Sequence, residues 1–413
     1  MEKLIKVLHL NHTYKGGGAE KVARQLYYGM SEYGGIQSYF LAGRGNDKEE
    51  IDCIYKDNTI QNQIRRGLCF LGNNNRVHDN YALKKIKRII KENEIDIIHV
   101  HNLHGNYIGI HDMAELAKYC KVIWTLHDMW AFTGHCAYSF DCKGWEKGKC
   151  MICKYKEIYP QIRLDVANDR FQKKVESFTN VNITFVVPSG WLMQECRKSF
   201  LKDEDIYLIH NGVPVSDFSD SFVRMRLREQ YDIPLDKIVL MFCANRYDNP
   251  FKGIETLVGA LDLVENKKRF HLLIVGNSDE LVFSNKYTIS RTGYVENEKI
   301  MYELYTMADV LIMPSNAENF SCTILESMSC GTPVIGSDVG GIPEQVTEET
   351  GWVFPAKDVK ALSELIDNLL YLDAMEMEDY RRLCRKRICE KFSEKKMLDE
   401  YYKLYKEVLL DKD

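Results

Sequence analysis

The sequence predicts an α/β protein made of two parallel-sheet halves, each covered by helices on both faces. Three observations carry that prediction. Strand-like apolar runs alternate with helical periodicity along most of the chain. The turn Asn211-Gly212-Val213-Pro214 and the polar stretch 216–221 divide that alternation in two. Gly-rich or charged turns recur just after strands in both halves, where open parallel sheets bind ligands.

In the first half, the strand Leu4–Leu10 leads through Gly16-Gly17-Gly18 into a helix from Ala19 to about Glu32. Ile36–Leu41 is a second strand, and the polar, Asn-rich residues 44–80 read as loops. A basic amphipathic helix follows over Tyr81–Asn93. Asp96–His101 and Lys121–His127 are strands that end in histidine. The segment 128–155 reads as an insertion. A helix over Ile158–Phe178 and strands over Ile183–Pro188 and Ile206–His210 complete this half. The second half restarts with the strand Ile238–Ala244. A helix from Gly253, the strand His271–Val275 and the apolar run Val310–Met313 come next. Glu364–Leu410 reads as nearly continuous helix. The expected domains are 1–218, 219–390 and a C-terminal helix, 391–413.

At 413 residues the chain is long enough for two cores. A net charge of −5 gives no general attraction to nucleic acid. No apolar run approaches the roughly 20 residues that span a bilayer, and the N-terminus lacks a signal-peptide pattern. The expected location is the cytoplasm. Thirteen cysteines scattered over such a chain favour reduced thiols or a metal over a disulfide framework.

The most informative block begins at Ala308. Glu318 and Glu326 stand eight positions apart across the junction Asn319-Phe320-Ser321-Cys322, which opens a helix with apolar positions at Ile324, Leu325 and Met328. Asn319 or Ser321 can cap that helix. Backbone N–H groups at Phe320, Ser321 and Cys322 and the positive helix end suit a phosphate. The two carboxylates suit hydroxyls, on a sugar and a ribose. Arg246 and Lys252 flank a turn at the end of the strand Ile238–Ala244, and two cations there suit a diphosphate. The Gly16–Gly18 turn is not a G-x-G-x-x-G, and no acidic residue closes the second strand, which counts against a dinucleotide site.

The Glu-x7-Glu block, with Cys330-Gly331-Thr332-Pro333-Val334 and Gly340-Gly341-Ile342-Pro343-Glu344 after it, resembles the donor-binding segment of family 4 glycosyltransferases. The likeness runs from Val7 to about Phe354. Ser321 departs from it, standing where many members carry glycine; its N–H is expected to stay available. The resemblance implies the GT-B fold, two facing Rossmann-like domains with a cleft between them and a C-terminal helix crossing back to the first. It implies a retaining transferase of hexosyltransferase type. Arg246 and Lys252 would contact the pyrophosphate, and His127 would hydrogen-bond the transferred sugar. Glu318 would hold sugar hydroxyls, Glu326 the ribose, and the loop around Tyr294 the nucleobase. Gly16, Gly17 and Gly18 would line the donor site, together with Asn319, Phe320, Ser321 and Cys322. His101 is expected to face the cleft and His99 to face away. Partners would be a nucleoside-diphosphate sugar and a glycan or lipid-linked acceptor, with no cofactor needed for transfer and no nucleic acid.

The insertion carries Cys136, Cys142, Cys150 and Cys153. Cys150-x-x-Cys153 is a good knuckle for a tetrahedral metal, and a structural zinc would tie together a segment with little apolar content. His135 could replace one thiolate; free thiols and a disulfide or redox pair are the alternatives. The helix at Tyr81 shows Lys84, Lys85, Lys87, Arg88 and Lys91 around an apolar face of Leu83, Ile86 and Ile90. Packing by that face explains it, and peripheral contact with the inner membrane face is the other reading. Two rival functions remain: a GT-B sugar-nucleotide epimerase, and a non-catalytic nucleotide-sugar binding protein with a zinc-stapled interaction module.

Overall fold

The computed structural model describes residues 4–45, 51–56, 80–105, 107–162, 164–179, 181–215, 221–246, 248–277 and 281–410, without the side chains of Asn80, Ser221, Asn245 and Arg246. The chain forms two compact units. One runs to His210 and takes the chain back from Leu398; the other is Asn211–Met397. The division falls before the polar stretch expected to hold it, because residues 211–213 already pack within the second unit. Val213 donates to the Phe392 carbonyl and accepts from Glu394, at 3.0 and 2.9 Å. A Cβ on Gly212 would lie 2.5 Å from the Ser393 carbonyl oxygen, so this crossing needs glycine.

Among the described residues, the first unit holds a seven-stranded parallel sheet. Its strands are β1 (Ile5–Thr13), β2 (Ile36–Gly45), β3 (Asp52–Lys56), β4 (Ile97–Val100), β5 (Lys121–Thr125), β6 (Ile183–Val187) and β7 (Ile206–Leu208), in the order β3-β2-β1-β4-β5-β6-β7. β3 lies inside the segment read as loops, short and half-buried at the sheet edge, where periodicity is weakest. Residues 46–50 and 57–79 of that segment lie outside the described residues. β4 and β5 stop at Val100 and Thr125, so His101 and His127 sit just past strand ends. The helix expected over Ile158–Phe178 begins only at Ala167.

Among the described residues, the second unit holds six parallel strands: β8 (Ile238–Arg246), β9 (Phe270–Asn277), β10 (Thr288–Arg291), β11 (Val310–Met313), β12 (Val334–Ser337) and β13 (Gly351–Phe354), ordered β10-β9-β8-β11-β12-β13. Its central strands β8 and β11 are buried on both faces. Val239, Met241, Leu311 and Met313 face one apolar layer, while Leu240, Phe242, Val310 and Ile312 face the other. That is why the strands read as unbroken apolar runs. In both units the strand order reverses beside the first strand, between β1 and β4 and between β8 and β11. That places the ligand crevice of each sheet at the carboxyl ends of those pairs.

The long C-terminal helix is instead three: Val359–Asn368, Ala374–Lys391 and Glu394–Leu410. Asp373 and Glu376 form a capping box that restarts the chain at Ala374. From Leu398 the last helix belongs to the first unit. There Tyr401 and Tyr405 are buried, bonded to Thr125 and His99 at 2.8 and 2.6 Å.

Candidate functional site

The second unit builds its site where β8 and β11 diverge. Gly253 has φ +63°, and a Cβ there would lie 1.8 Å from the Pro314 carbonyl oxygen. The Lys252–Gly253 turn can therefore press against the loop leaving β11. Gly340 has φ +56°, and a Cβ would come within 1.6 Å of the Glu318 carbonyl oxygen. The Gly341 N–H donates to the Asn319 carbonyl at 2.8 Å. One glycine turn thus packs against the start of this loop at Pro314 and the other against its end at Glu318–Asn319.

Lys252 Nζ lies 2.9 Å from Glu318 Oε2, and Glu318 Oε1 accepts the Asn319 N–H at 3.2 Å. Burial pushes the Lys252 ammonium down, but the charge and hydrogen bond of Glu318 outweigh it and the net shift is upward. The helix Cys322–Ser329 follows, with Ser321 as its N-cap residue and no side-chain cap. Ser321 departs from expectation in one respect. Its N–H is not available: it donates to Gln345 Oε1 at 2.9 Å, while Gln345 Nε2 donates to the Ser321 carbonyl at 2.9 Å. Phe320 is buried, and its carbonyl accepts from Asn211 at 3.1 Å. Cys322 is also buried.

Glu326 is 8% exposed and accepts the Tyr305 hydroxyl at 2.9 Å. Burial, then Glu326's charge, raises the Tyr305 hydroxyl far above its usual range, so Tyr305 stays a donor. Tyr294 is exposed beyond β10, next to Gly293 at φ +66°. Arg246 ends β8, its backbone in register with Asn277, and its side chain lies outside the described residues. The structure thus joins Lys252, Glu318 and Asn319, and adds Gln345 and Tyr305, which the sequence reading missed.

In the first unit, Gly17 is the N-cap of the helix Gly18–Glu32 and offers no side-chain cap. Glu20 folds back over the turn, within 3.0 Å of where a Cβ on Gly16 would stand. A carboxylate there suits hydroxyl groups better than a diphosphate. His101 is buried, with Nδ1 3.2 Å from His127 Nε2. The expectation that His99 faces away is wrong: residues two apart share a face, and the two rings stack at 4.4 Å. His9, opposite His99 in the β1–β4 register, lies tilted against His99 at 5.3 Å and stacks on His101 at 6.0 Å. Burial holds His127 down to about 4, Asp128 opposing and His104 adding to that shift. Beside it, His104 Nε2 donates to Asp128 Oδ2 at 3.0 Å, and His104 Nδ1 lies 3.0 Å from the Tyr159 hydroxyl. Asp128 was legible as the neighbour of His127; nothing in the sequence marked His9, His104 or Tyr159.

In the insertion, His135 Nε2 lies 3.0 Å from Cys153 Sγ and 3.7 Å from Cys136 Sγ. These three form a compact group of potential metal ligands; Cys142 and Cys150 are not part of it. On the basic helix, Ile86 and Ile90 are buried. Lys85 pairs with Asp52 at 2.7 Å, Lys87 with Glu115 at 2.6 Å and Arg88 with Glu92 at 3.8 Å, so three of the five cations already have acidic partners. No helix among the described residues is long and apolar enough to cross a membrane.

Comparison with known proteins agrees with this architecture. The Glycosyltransferase Family 4 model matches residues 16–217, and the Glycosyl transferases group 1 model matches residues 237–371. The putative colanic acid biosynthesis glycosyl transferase WcaC of Escherichia coli K12 is 22% identical over 87% of this chain and 90% of its own. Sucrose-phosphate synthase from Thermosynechococcus elongatus has a TM-score of 0.73 at 18% identity, covering 99% of this chain and 100% of its own. Anabaena HepE in complex with UDP and glucose has a TM-score of 0.67 at 14% identity, covering 98% and 100%. Identities this low speak to fold alone, and that fold is GT-B. With the two models together matching most of both units, the chain belongs to the family 4, group 1 glycosyltransferases and is an enzyme of that class.

Proposed function

We propose that this enzyme moves a sugar, with retention of configuration, from a nucleoside-diphosphate sugar to a hydroxyl in polysaccharide or lipid-linked glycan assembly. The observation that carries the donor half is the Lys252–Glu318 pair beside the uncapped start of the helix Cys322–Ser329. A diphosphate would draw the Lys252 ammonium to itself and free the Glu318 carboxylate for sugar hydroxyls. Arg246 is assigned to the same diphosphate, Glu326 to the ribose and Tyr294 to the base. A UDP complex of a structural neighbour and a colanic acid relative support this reading.

In the proposed step, the bond from the anomeric carbon to the diphosphate oxygen breaks, with both electrons leaving on that oxygen. The acceptor oxygen bonds to the anomeric carbon on the same face, and its proton passes to the departing phosphate oxygen. Lys252 and the first-turn N–H groups of the helix stabilise the negative charge that develops there. His127, neutral near pH 7, is assigned to a sugar hydroxyl. The acceptor is proposed to meet the first unit, where Glu20, Asp128 and His104 offer partners for hydroxyls; contact of its basic helix with anionic lipid would suit a lipid-linked one.

A thermal-shift screen of UDP-, GDP- and ADP-sugars tests the donor assignment, followed by Arg246→Ala and by NMR of the product's anomeric configuration. Stabilisation by one nucleotide series, lost in Arg246→Ala, is expected. No shift with any series removes the donor assignment, and an inverted product removes retention. Conversion of the sugar nucleotide without an acceptor would establish the epimerase instead.

A further inference from the structure

The segment that follows His127 and Asp128 lacks the apolar content to hold itself. Between Ala137 and Ile162, Trp145 is the one buried hydrophobe among the described residues. It packs on Phe132 with ring centroids 5.3 Å apart. At the return of this segment, Cys150-Met151-Ile152-Cys153 turns with both central hydrophobes in solvent, Ile152 87% exposed. Ile152 has φ +47°, a conformation that β-branched residues avoid. The turn is therefore not held by its own side-chain packing, and its Cys153 sulfur is grouped with His135 and Cys136.

We propose that this segment is a structural zinc site of Cys3His type, held by His135 Nε2 and the sulfurs of Cys136, Cys150 and Cys153. His135 Nδ1 lies 3.0 Å from the Pro160 carbonyl oxygen. A carbonyl only accepts, so the proton sits on Nδ1 and the Nε2 lone pair faces the sulfurs. Metal-ligating histidines are oriented by this kind of second hydrogen bond. Nε2 stands 3.0 and 3.7 Å from the sulfurs of Cys153 and Cys136; a tetrahedral zinc at ordinary bond lengths separates N and S by about 3.5 Å. Backbone N–H groups of Gly134 and Tyr155 serve the sulfurs of Cys150 and Cys153, as they serve thiolates around metals. Cys150, like Cys142, lies outside the compact group of His135, Cys136 and Cys153; Cys150 is assigned as the fourth ligand by its two-residue spacing to Cys153, which Cys142 lacks. Loading the ion displaces three thiol protons and fixes the turn with the Ile152 conformation it already has.

The knot has a consequence for the neighbouring groups. His135 bonds the carbonyl of Pro160, and Tyr159 reaches His104, which holds Asp128. Zinc would therefore clamp the returning strand of chain that positions the Tyr159–His104–Asp128 series beside His127.

Elemental analysis of the full chain, purified without chelator, tests this. About one zinc per chain is expected, retained by Cys142→Ser and lost from Cys136→Ser, Cys150→Ser, Cys153→Ser and His135→Asn. Exchange of the intact chain into cobalt keeps the test independent of variant folding. A tetrahedral cobalt spectrum with thiolate charge-transfer bands is expected. Metal that dialyses away against EDTA with no change in thiol reactivity, or a disulfide among these cysteines by mass, overturns the site. Loss of zinc in Cys142→Ser with retention in His135→Asn overturns the Cys3His assignment in favour of four cysteines.

Discussion

The ammonium of Lys252 and the carboxylate of Glu318 lie 2.9 Å apart, both largely shielded from solvent. Each therefore holds the other's charge, and under the proposed function the donor diphosphate would replace Glu318 as the partner of Lys252. Lys252→Ala is expected to lower kcat/KM by about 10²–10³-fold, the range for losing one charge-stabilising donor. It also leaves the Glu318 carboxylate unpaired, a loss of about 1–3 kcal/mol in stability. Because the Lys252 pKa is raised, its ammonium persists and the pair is intact below the unfolded lysine value near 10.5. The contribution is lost only as pH rises through the higher folded value. Steady-state kinetics with urea unfolding checks both; unchanged kcat/KM in Lys252→Ala removes lysine from the reaction.

Gln345 holds Ser321 by both its N–H and its carbonyl. Gln345→Leu leaves two buried backbone groups without partners, an expected loss of about 2–4 kcal/mol. Gln345→Glu keeps an acceptor for the N–H but places a second acceptor against the Ser321 carbonyl, and is expected to weaken donor binding as well. Nucleotide affinity by calorimetry, alongside urea midpoints, separates the two effects. Wild-type midpoints in both variants would show that the side chain does not set this loop.

Tyr305 donates to Glu326 at 2.9 Å in a buried setting. Tyr305→Phe leaves that carboxylate short of one donor. The expected outcome is weaker donor binding, a rise in KM of about tenfold (one charge-assisted hydrogen bond), with kcat little changed. A kcat loss with unchanged KM would place Glu326 in the transition state instead of on the ribose.

The sheets were legible because both faces of β8 and β11 are buried, so Ile238–Ala244 and Val310–Met313 read as apolar runs. The carboxylate pair and Lys252 were legible because they follow those runs directly. Gln345 was not: its function comes from a contact 24 positions away, across the Gly340–Gly341 turn. β3 was hidden by its short edge position, and the break at Leu372-Asp373 by the helical propensities on either side, although the Asp373–Glu376 capping box marked it. The His99 misplacement was an error of period, since a strand returns to the same face every second residue.

The histidine stack makes the first unit acid-sensitive. His9, His99, His101 and His127 are all shifted down, burial being the largest cause for each, His9 to about 3 and His127 to about 4. The groups facing them are Tyr27 on the first helix, Thr125 on β5, Tyr401 and Tyr405 on the last helix, and Asp128 and His104 beside His127. Of these, the Asp128 carboxylate raises the His127 pKa and leaves its net shift downward. Below about 6.5 the unfolded chain takes up protons that the folded chain refuses, so stability falls as pH falls. The slope is up to about 1.4 kcal/mol per pH unit for each histidine, and it ends only as pH passes the folded values. Urea midpoints of the first unit are expected to drop steeply between pH 7 and pH 5. His9→Phe removes a ring whose two nitrogens are buried without partners; it is expected to match or exceed wild-type stability at pH 7 and to flatten the slope by one proton. A midpoint independent of pH over that range would mean that these rings are charged, or solvated, in the folded chain.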